Sequence, residues 1–564
     1  MNKLISFAVL GVSAAVFAIP DAQLQALADA DVQHPVRPGG VDGREFWNVH
    51  SRLSMYPPAF DFKPVEGAVK YKFTVIDDLL NEHVFEANSP TSSLAPVWRD
   101  IPEGYVLVSA EGIDSLGRVC GVAGKRRFWR LAPYRPGSYP ADIPWSYAES
   151  ARRCLESIFN HPNTVHFLKY GKPDGVSELE NIYPSKMNAA LICGMLRFAE
   201  LDPSKKDDAY LIARNAADFM ISESQPASAP LAGMPPTYRQ IENQGPDNIK
   251  SIKYAGQNMM SYPAVMGSAY LKLHAAVKER RYLEAALSIA RTYERWQLPE
   301  GTWYIKMWEK DASAVIEGNG SVPVRLIPTP VIAFMDELAA ATGDSRWRQI
   351  ADRAMAFIDN GPLKTWDWAA QFEDTTPSVW YRDMSSDPTC DLAFVMLKRY
   401  PLDRRRIAQV RELLRWSEDQ FVCWKRPCRP GGWGLLSEPS DRIYNPTWNG
   451  QYPGNSFANW IDVPCSTEKY RWFMGIGGKT AKVARLFAKM YEIEGNPLDL
   501  AKAKTLCDAI VRVQEMNGGQ IVPTHWRVRD LTGGKCKANW TNCTVLTADG
   551  LEYVATVAGR ETKK

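Results

Sequence analysis

An excess of either charge is what this sequence most plainly lacks. Against 67 Lys and Arg stand 64 Asp and Glu, a formal net charge of +3. A surface so evenly balanced offers no field for a polyanion, so neither nucleic acid nor an anionic membrane is the expected partner. Long apolar runs are also missing. After residues 4–18, nothing approaches the roughly 18 apolar residues that a bilayer-spanning helix needs, so no membrane span is expected. Only seven histidines are present, and neither a His-Glu-x-x-His helix nor a Gly-x-Ser-x-Gly elbow occurs. Gly475-Ile476-Gly477-Gly478-Lys479-Thr480 lacks the spacing of a phosphate loop and follows no clear strand, so it reads as the tightly packed start of a helix. No metal and no cofactor is expected.

What is present begins at the N-terminus. Met1-Asn2-Lys3 is a short basic start, residues 4–18 are apolar, and Pro20 follows. Residues 1–18 therefore read as a secretory signal, and the mature protein is expected in the periplasm or outside the cell. Ten Cys fit an oxidising compartment. Cys423 with Cys428, and Cys536 with Cys543, lie close in sequence and are candidate local disulfides. Cys193, Cys390 and Cys507 fall in apolar helical patterns and read as buried thiols.

Two periodicities divide the rest. Residues 45–134 alternate β-formers around turns such as Glu66-Gly67 and Leu116-Gly117, which predicts a small β-sandwich. From 148 to 560 apolar residues recur at helical spacing in twelve segments, near 148–160, 185–200, 206–222, 261–278, 281–297, 327–341, 345–359, 389–399, 403–420, 475–494, 497–516 and 543–558. Short turns alternate with long loops near 161–184, 223–260, 298–326, 360–388, 421–474 and 517–542. Six helical hairpins with all long loops on one side predict a mainly α fold, an (α/α)6 toroid. Its active face carries the long loops and the inner-helix N-termini.

The long loops also hold the residues that carry chemistry. The chain has 19 Trp and 23 Tyr, divided between core packing and rings that stack on sugar faces. Glycoside hydrolysis needs a protonated acid at the leaving oxygen and a second carboxylate opposite. Glu373, Asp374, Glu309 and Asp383 are the catalytic candidates, because an aromatic surround raises a carboxyl pKa. Trp303, Trp308, Trp366, Trp380, Trp433 and Trp472 are candidate stacking residues. Arg325, Arg429, Arg471 and Arg527 are candidate forks for a uronate carboxylate, with His525 beside Arg527. A β-eliminating lyase would instead need a base for the C5 proton, for which His525, Tyr254 and Tyr304 qualify.

Two stretches, PAFDFKPVEGAVKYKFTV and LAPVWRDIPEGYVLVSAEGIDSLG, resemble fibronectin type III-like modules. The stretch WDWAAQFED at 366–374 resembles the Trp-Ala-x-x-aromatic-acid stretch of some pectate lyases, and the helical part, about 148 to 558, resembles secreted (α/α)6 enzymes acting on uronate-containing glycans. Among these are unsaturated glucuronyl hydrolases, exo-β-glucuronidases and heparinase II/III-type lyases. The resemblance implies an exported glycoside hydrolase, an exo-acting β-glucuronidase. A uronate polysaccharide lyase and a non-catalytic glycan-binding protein are the alternatives. The expected partner is a uronic-acid oligosaccharide or polysaccharide, and self-association remains open.

Overall fold

The computed structural model describes residues 20–36, 51, 53–140, 142–175, 179, 183–238, 254–316, 323–366, 368, 384–425, 461–469, 472–526 and 540–561. Helix α1 (Asp21–Asp31) comes first. A five-stranded sheet follows, made of β1 (Leu53–Ser54), β2 (Lys70–Ile76), β3 (Glu82–Ala87), β4 (Gly104–Ile113) and β5 (Val119–Arg130), with the short helix α2 (Ala95–Trp98) between β3 and β4. Its order is β1-β5-β4-β2-β3, antiparallel except where β1 joins β5.

Period-two alternation builds this sheet. Tyr71, Phe73 and Val75 on β2, and Val106, Val108 and Ala110 on β4, turn to one buried face. Phe60 and Phe62 cover that face together with Trp98 and Ile101 around α2. Of the expected β-sandwich, the described residues supply one sheet. Its second layer is irregular chain and a short helix.

Beyond the sheet the chain is helical: α3 (Tyr147–Phe159), α4 (Pro162–Tyr170), α5 (Pro184–Leu201), α6 (Lys206–Ser222), α7 (Tyr262–Val277), α8 (Arg280–Trp296), α9 (Thr329–Thr342), α10 (Ser345–Asn360), the single turn α11 (Pro362–Thr365), α12 (Asp387–Arg399), α13 (Arg404–Phe421), α14 (Gly477–Glu494), α15 (Pro497–Met516) and α16 (Thr541–Glu561). Helices α5, α7, α9, α12, α14 and α16 pack side by side in that order, and α16 returns to α5, so the layer closes. Outside them, α6, α8, α10, α13 and α15 each pack on the inner helix that precedes them. The first outer helix, α3, packs on the last inner one, α16. The result is an (α/α)6 toroid.

The sequence sorts the two layers. Inner α7 and α9 are apolar over most of their circumference, whereas outer α3 and α8 carry one apolar stripe opposite charged faces. Inner helices approach closely where side chains vanish. A Cβ on Gly267 of α7 would lie 2.4 Å from Phe334 of α9. None of the described helices is long and apolar enough to cross a membrane.

A buried polar network joins the sheet and α1 to the outer layer. The backbone N–H groups of Met55 and Tyr56 donate to Asp419 at 2.6 and 2.8 Å. The Tyr56 hydroxyl donates to Glu418 at 2.7 Å. Lys502 of α15 bridges Asp31 and Glu418, both at 2.8 Å. Leu53, Met55, Trp129 and Leu131 share the apolar core of the ring, so sheet and toroid are packed together through both kinds of contact.

Candidate functional site

Each inner helix but the last packs on the outer helix that follows it after a short turn and beside the next inner helix of the ring, an alternation that sets the inner-helix N-termini on one face. Four of the six outer helices begin with a side-chain cap, and α6 and α8 do not. Outer α3, α10, α13 and α15 are capped by their own Ser146, Asp344, Asp403 and Asn496 side chains. Inner α5, α7, α9, α12 and α14 start without a side-chain cap. Buried Ser185, Ser261, Thr329 and Ser386, at the starts of α5, α7, α9 and α12, have hydroxyls with no hydrogen-bond partner among the described residues, as does the Asn542 carbonyl oxygen at the start of α16. Orphaned buried polar groups are costly unless water or a ligand satisfies them. Here they gather at the positive ends of the helix dipoles.

Over part of this face lies a cluster of tyrosines and lysines. Tyr183, the residue before α5, is held at φ 52°, a left-handed conformation uncommon for a bulky side chain. Its ring centroid lies 5.6 Å from Tyr262 and 5.9 Å from Tyr238, and Tyr238 lies 5.1 Å from Tyr254. Trp540 extends the cluster from the loop before α16. The Lys186 ammonium sits 5.4 Å from both Tyr183 and Tyr262. Buried Lys306 sits 4.0 Å from the Tyr254 centroid, within cation–π range.

Lys306 opens strand β7 (Lys306–Trp308), which pairs antiparallel with β6 (Gln257–Met259) and so clips two long loops together. Glu309 follows directly. Its backbone N–H donates to the Gly256 carbonyl at 2.9 Å. Its side chain lines a cleft of about 470 Å³ with Gln225, Pro230, Gly256, Trp308 and Lys310. Burial pushes the Glu309 carboxyl up to about 7, against a lowering hydrogen bond from Asn258. A carboxyl half protonated near neutrality can deliver a proton.

A second charged cluster stands between inner helices. Asp387, the first residue of α12, is held by Lys479 at 3.0 Å and Lys482 at 2.7 Å, and Lys482 also binds Asp391 at 2.8 Å. Burial acts to raise the Asp387 carboxyl, but the two ammonium groups outweigh it and hold it well below the usual carboxylate range.

The other sequence-derived candidates fall in different places. Trp303 is fully buried and its indole N–H donates to the Tyr293 carbonyl at 2.8 Å, so it is a core residue and presents no face to a sugar. Trp366 is equally buried, edge-on to Trp368 at 5.5 Å. Arg325 lies against Tyr304 and pairs with Glu300 at 2.5 Å, which braces its own loop. Trp308 is half-buried on the cleft. Half-buried His525 bridges Ile476 at the start of α14. Trp472 begins a strand leading to α14. Glu373, Asp374, Asp383, Trp380, Arg429, Trp433, Arg471 and Arg527 lie outside the described residues, as do residues 1–18.

Sequence reasoning overlooked Tyr183, Tyr238, Tyr262, Lys186, Lys306 and Asp387. One signal was available: Tyr183-Pro184 and Tyr262-Pro263 each set a Tyr-Pro pair at an inner-helix start. Gly477 and Gly478, in contrast, open α14 as expected, and a Cβ on Gly478 would come within 3.1 Å of the Cys543 backbone.

No protein-family model and no curated protein matches the sequence. Among solved structures, similarity extends to a cellobiose 2-epimerase from Spirochaeta thermophila DSM 6192, at 12% identity and TM-score 0.46, over 73% of this chain and 98% of that one. A family 76 glycoside hydrolase from a bovine Bacteroides thetaiotaomicron strain is similar at 11% identity and TM-score 0.44, over 87% and 94% of the two chains. An unsaturated glucuronyl hydrolase is similar at 13% identity and TM-score 0.32, over 49% and 73%.

Proposed function

We propose that the protein is a glycan-processing enzyme, a hydrolase of uronic-acid-containing glycans that acts as an exo-β-glucuronidase. The tyrosine–lysine cluster at the uncapped inner-helix face is the observation that carries this reading. Half-buried Tyr254 offers a ring to the C–H face of a sugar, backed by buried Tyr183, Tyr238 and Tyr262, and half-buried Lys186 with buried Lys306 supplies the positive charge that a uronate carboxylate requires.

In this reading Glu309 is the general acid. Its carboxyl, pushed up to about 7, donates a proton to the glycosidic oxygen as the bond to the anomeric carbon breaks. A second carboxylate on the opposite side of the sugar takes a proton from the attacking water or adds to the anomeric carbon. Glu373, Asp374 and Asp383 are the proposed partners. Cleavage of residues 1–18 and export belong to the same proposal, and N-terminal sequencing of the mature protein tests them.

One observation favours a second reading. Tyr254, with Lys306 over its ring, is the base a uronate lyase would need for the C5 proton. Incubation with uronic-acid oligosaccharides separates the two. Products heavier by one water in total, without new ultraviolet absorbance, support the hydrolase. The absorbance of an unsaturated uronate with no water added overturns it in favour of elimination, and no turnover of any uronate substrate overturns both.

A further inference from the structure

The strand β8 (Val422–Cys423) follows α13 without a break, and β9 (Cys465–Lys469) leads through β10 (Trp472–Gly475) into α14. The three strands form a small sheet in the order β10-β9-β8. In its register Cys423 stands directly opposite Cys465, one step from the Val422–Ser466 pair. We propose that Cys423 and Cys465 form a disulfide bond that closes the longest loop of the active face at its base.

In this structure both cysteines are free thiols, and their register brings them within reach of the bond. Directly opposed residues of an antiparallel pair have Cα atoms about 4.5–5.5 Å apart, within the roughly 4.4–6.8 Å that a disulfide spans. Opposed side chains also leave the sheet on the same face. Both thiols are buried, at 2% and 1% exposure, in one apolar core. Gly475 makes room beside them, since a Cβ there would lie 3.0 Å from the Cys465 sulfur. The pairing differs from the one expected from chain proximity, which joined Cys423 to Cys428.

Bond formation removes two protons and two electrons from the thiol pair. The acceptor is a second disulfide, of a small thiol or of a thiol–disulfide oxidoreductase, which leaves as two thiols. Burial pushes the Cys465 thiol up to about 12 and the Cys423 thiol well above its ordinary value, so few thiolates exist in the folded ring. Exchange is therefore slow once the core has closed, and the bond is made while β8 and β9 pair during folding. The same burial then shields it from reductants. Its position ties the end of outer α13 to the strand that feeds inner α14, with residues 424–464 held between.

The test is non-reducing peptide mapping of the full chain produced in an oxidising secretory compartment and denatured with iodoacetamide present. The expected result is one linked peptide pair containing Cys423 and Cys465, two hydrogens lighter than the two thiol peptides together. Alkylation of both residues, or linkage of Cys423 to Cys428, overturns the proposal. A second measurement covers the case in which one peptide escapes detection. Treatment of the unfolded wild type with dithiothreitol before refolding lowers its melting temperature, whereas Cys423→Ala and Cys465→Ala each melt alike with and without the reductant. An equal reductant-dependent shift in the variants and the wild type overturns the proposal.

Discussion

Replacing Glu309 by Gln keeps the side chain's shape and removes its proton, so it isolates what burial at the cleft does for the reaction. The Glu309 carboxyl is pushed from 4.5 up to about 7. At pH 7 about half of such groups are protonated, against about 0.3% for an ordinary glutamic acid, a roughly 150-fold larger supply of acid. General acid catalysis contributes on the order of 10² to 10⁴ in rate. That contribution depends on the leaving group. An alkyl glucuronide, whose alkoxide leaves poorly, should lose about 10²-fold or more in kcat/KM in Glu309→Gln, within the range for a missing general acid. A nitrophenyl glucuronide needs little protonation and should lose less than about tenfold. The protonated form is the active one, so the wild-type rate on the alkyl substrate falls as pH rises through about 7, and the variant lacks that limb. Matched kinetics on both substrates from pH 5 to pH 9 measure all of this. Equal small losses on the two substrates, or a falling limb that survives in the variant, would refute the assignment.

Three further predictions concern the scaffold. Lys502→Met strands Asp31 and Glu418, which the ammonium bridges at 2.8 Å each, and should cost about 3–5 kcal/mol, the usual penalty for breaking a buried ion pair; a urea midpoint little changed from wild type would contradict it. Asp419 is buried and its carboxyl is pushed from 3.8 up to about 7 by desolvation. Its folded-state value exceeds the unfolded one, so stability declines as pH rises from about 4 to 7, by an amount on the order of 4 kcal/mol, and is flat beyond. Urea unfolding of wild type and Asp419→Asn across this range should show a difference that shifts in the variant's favour with rising pH, and the opposite trend would sink the argument. Gly267→Ala places a methyl group 2.4 Å from the Phe334 ring. The overpacking should cost about 1–3 kcal/mol, less about 1 kcal/mol regained from better helix propensity, read as a lower melting temperature.

What the chain states locally was legible in advance. The twelve expected helical segments match α3, α5–α10 and α12–α16, with ends displaced by a few residues. The reason is that one buried stripe at period 3.6 and caps such as Asp344 and Asn496 lie within a single helix. The regular loop alternation likewise implied hairpins, and so the toroid. Period-two alternation marked β2 and β4, but no second sheet faces them among the described residues, since irregular chain with well-placed Phe60, Phe62 and Trp98 buries the same face. Helix α1 went unread because its apolar stripe is weak and only Ala28 is buried.

Everything that depends on which loop meets which was decided in the tertiary structure. Ring closure pairs α3 with α16 from the two ends of the helical region, and no local pattern encodes that. Trp303 and Trp366 sit in loop sequence yet are core, because a loop folded back over a ring is itself partly interior. Tyr183, Tyr238, Tyr254 and Tyr262 come from separate stretches and become one cluster only when the inner helices align. Cys423 lies nearer Cys428 in the chain but faces Cys465 in space, because strand register, which long-range pairing sets, chooses the neighbour. Composition and periodicity thus determined the elements and their layers. The site required the contacts between loops, whose energies are non-local.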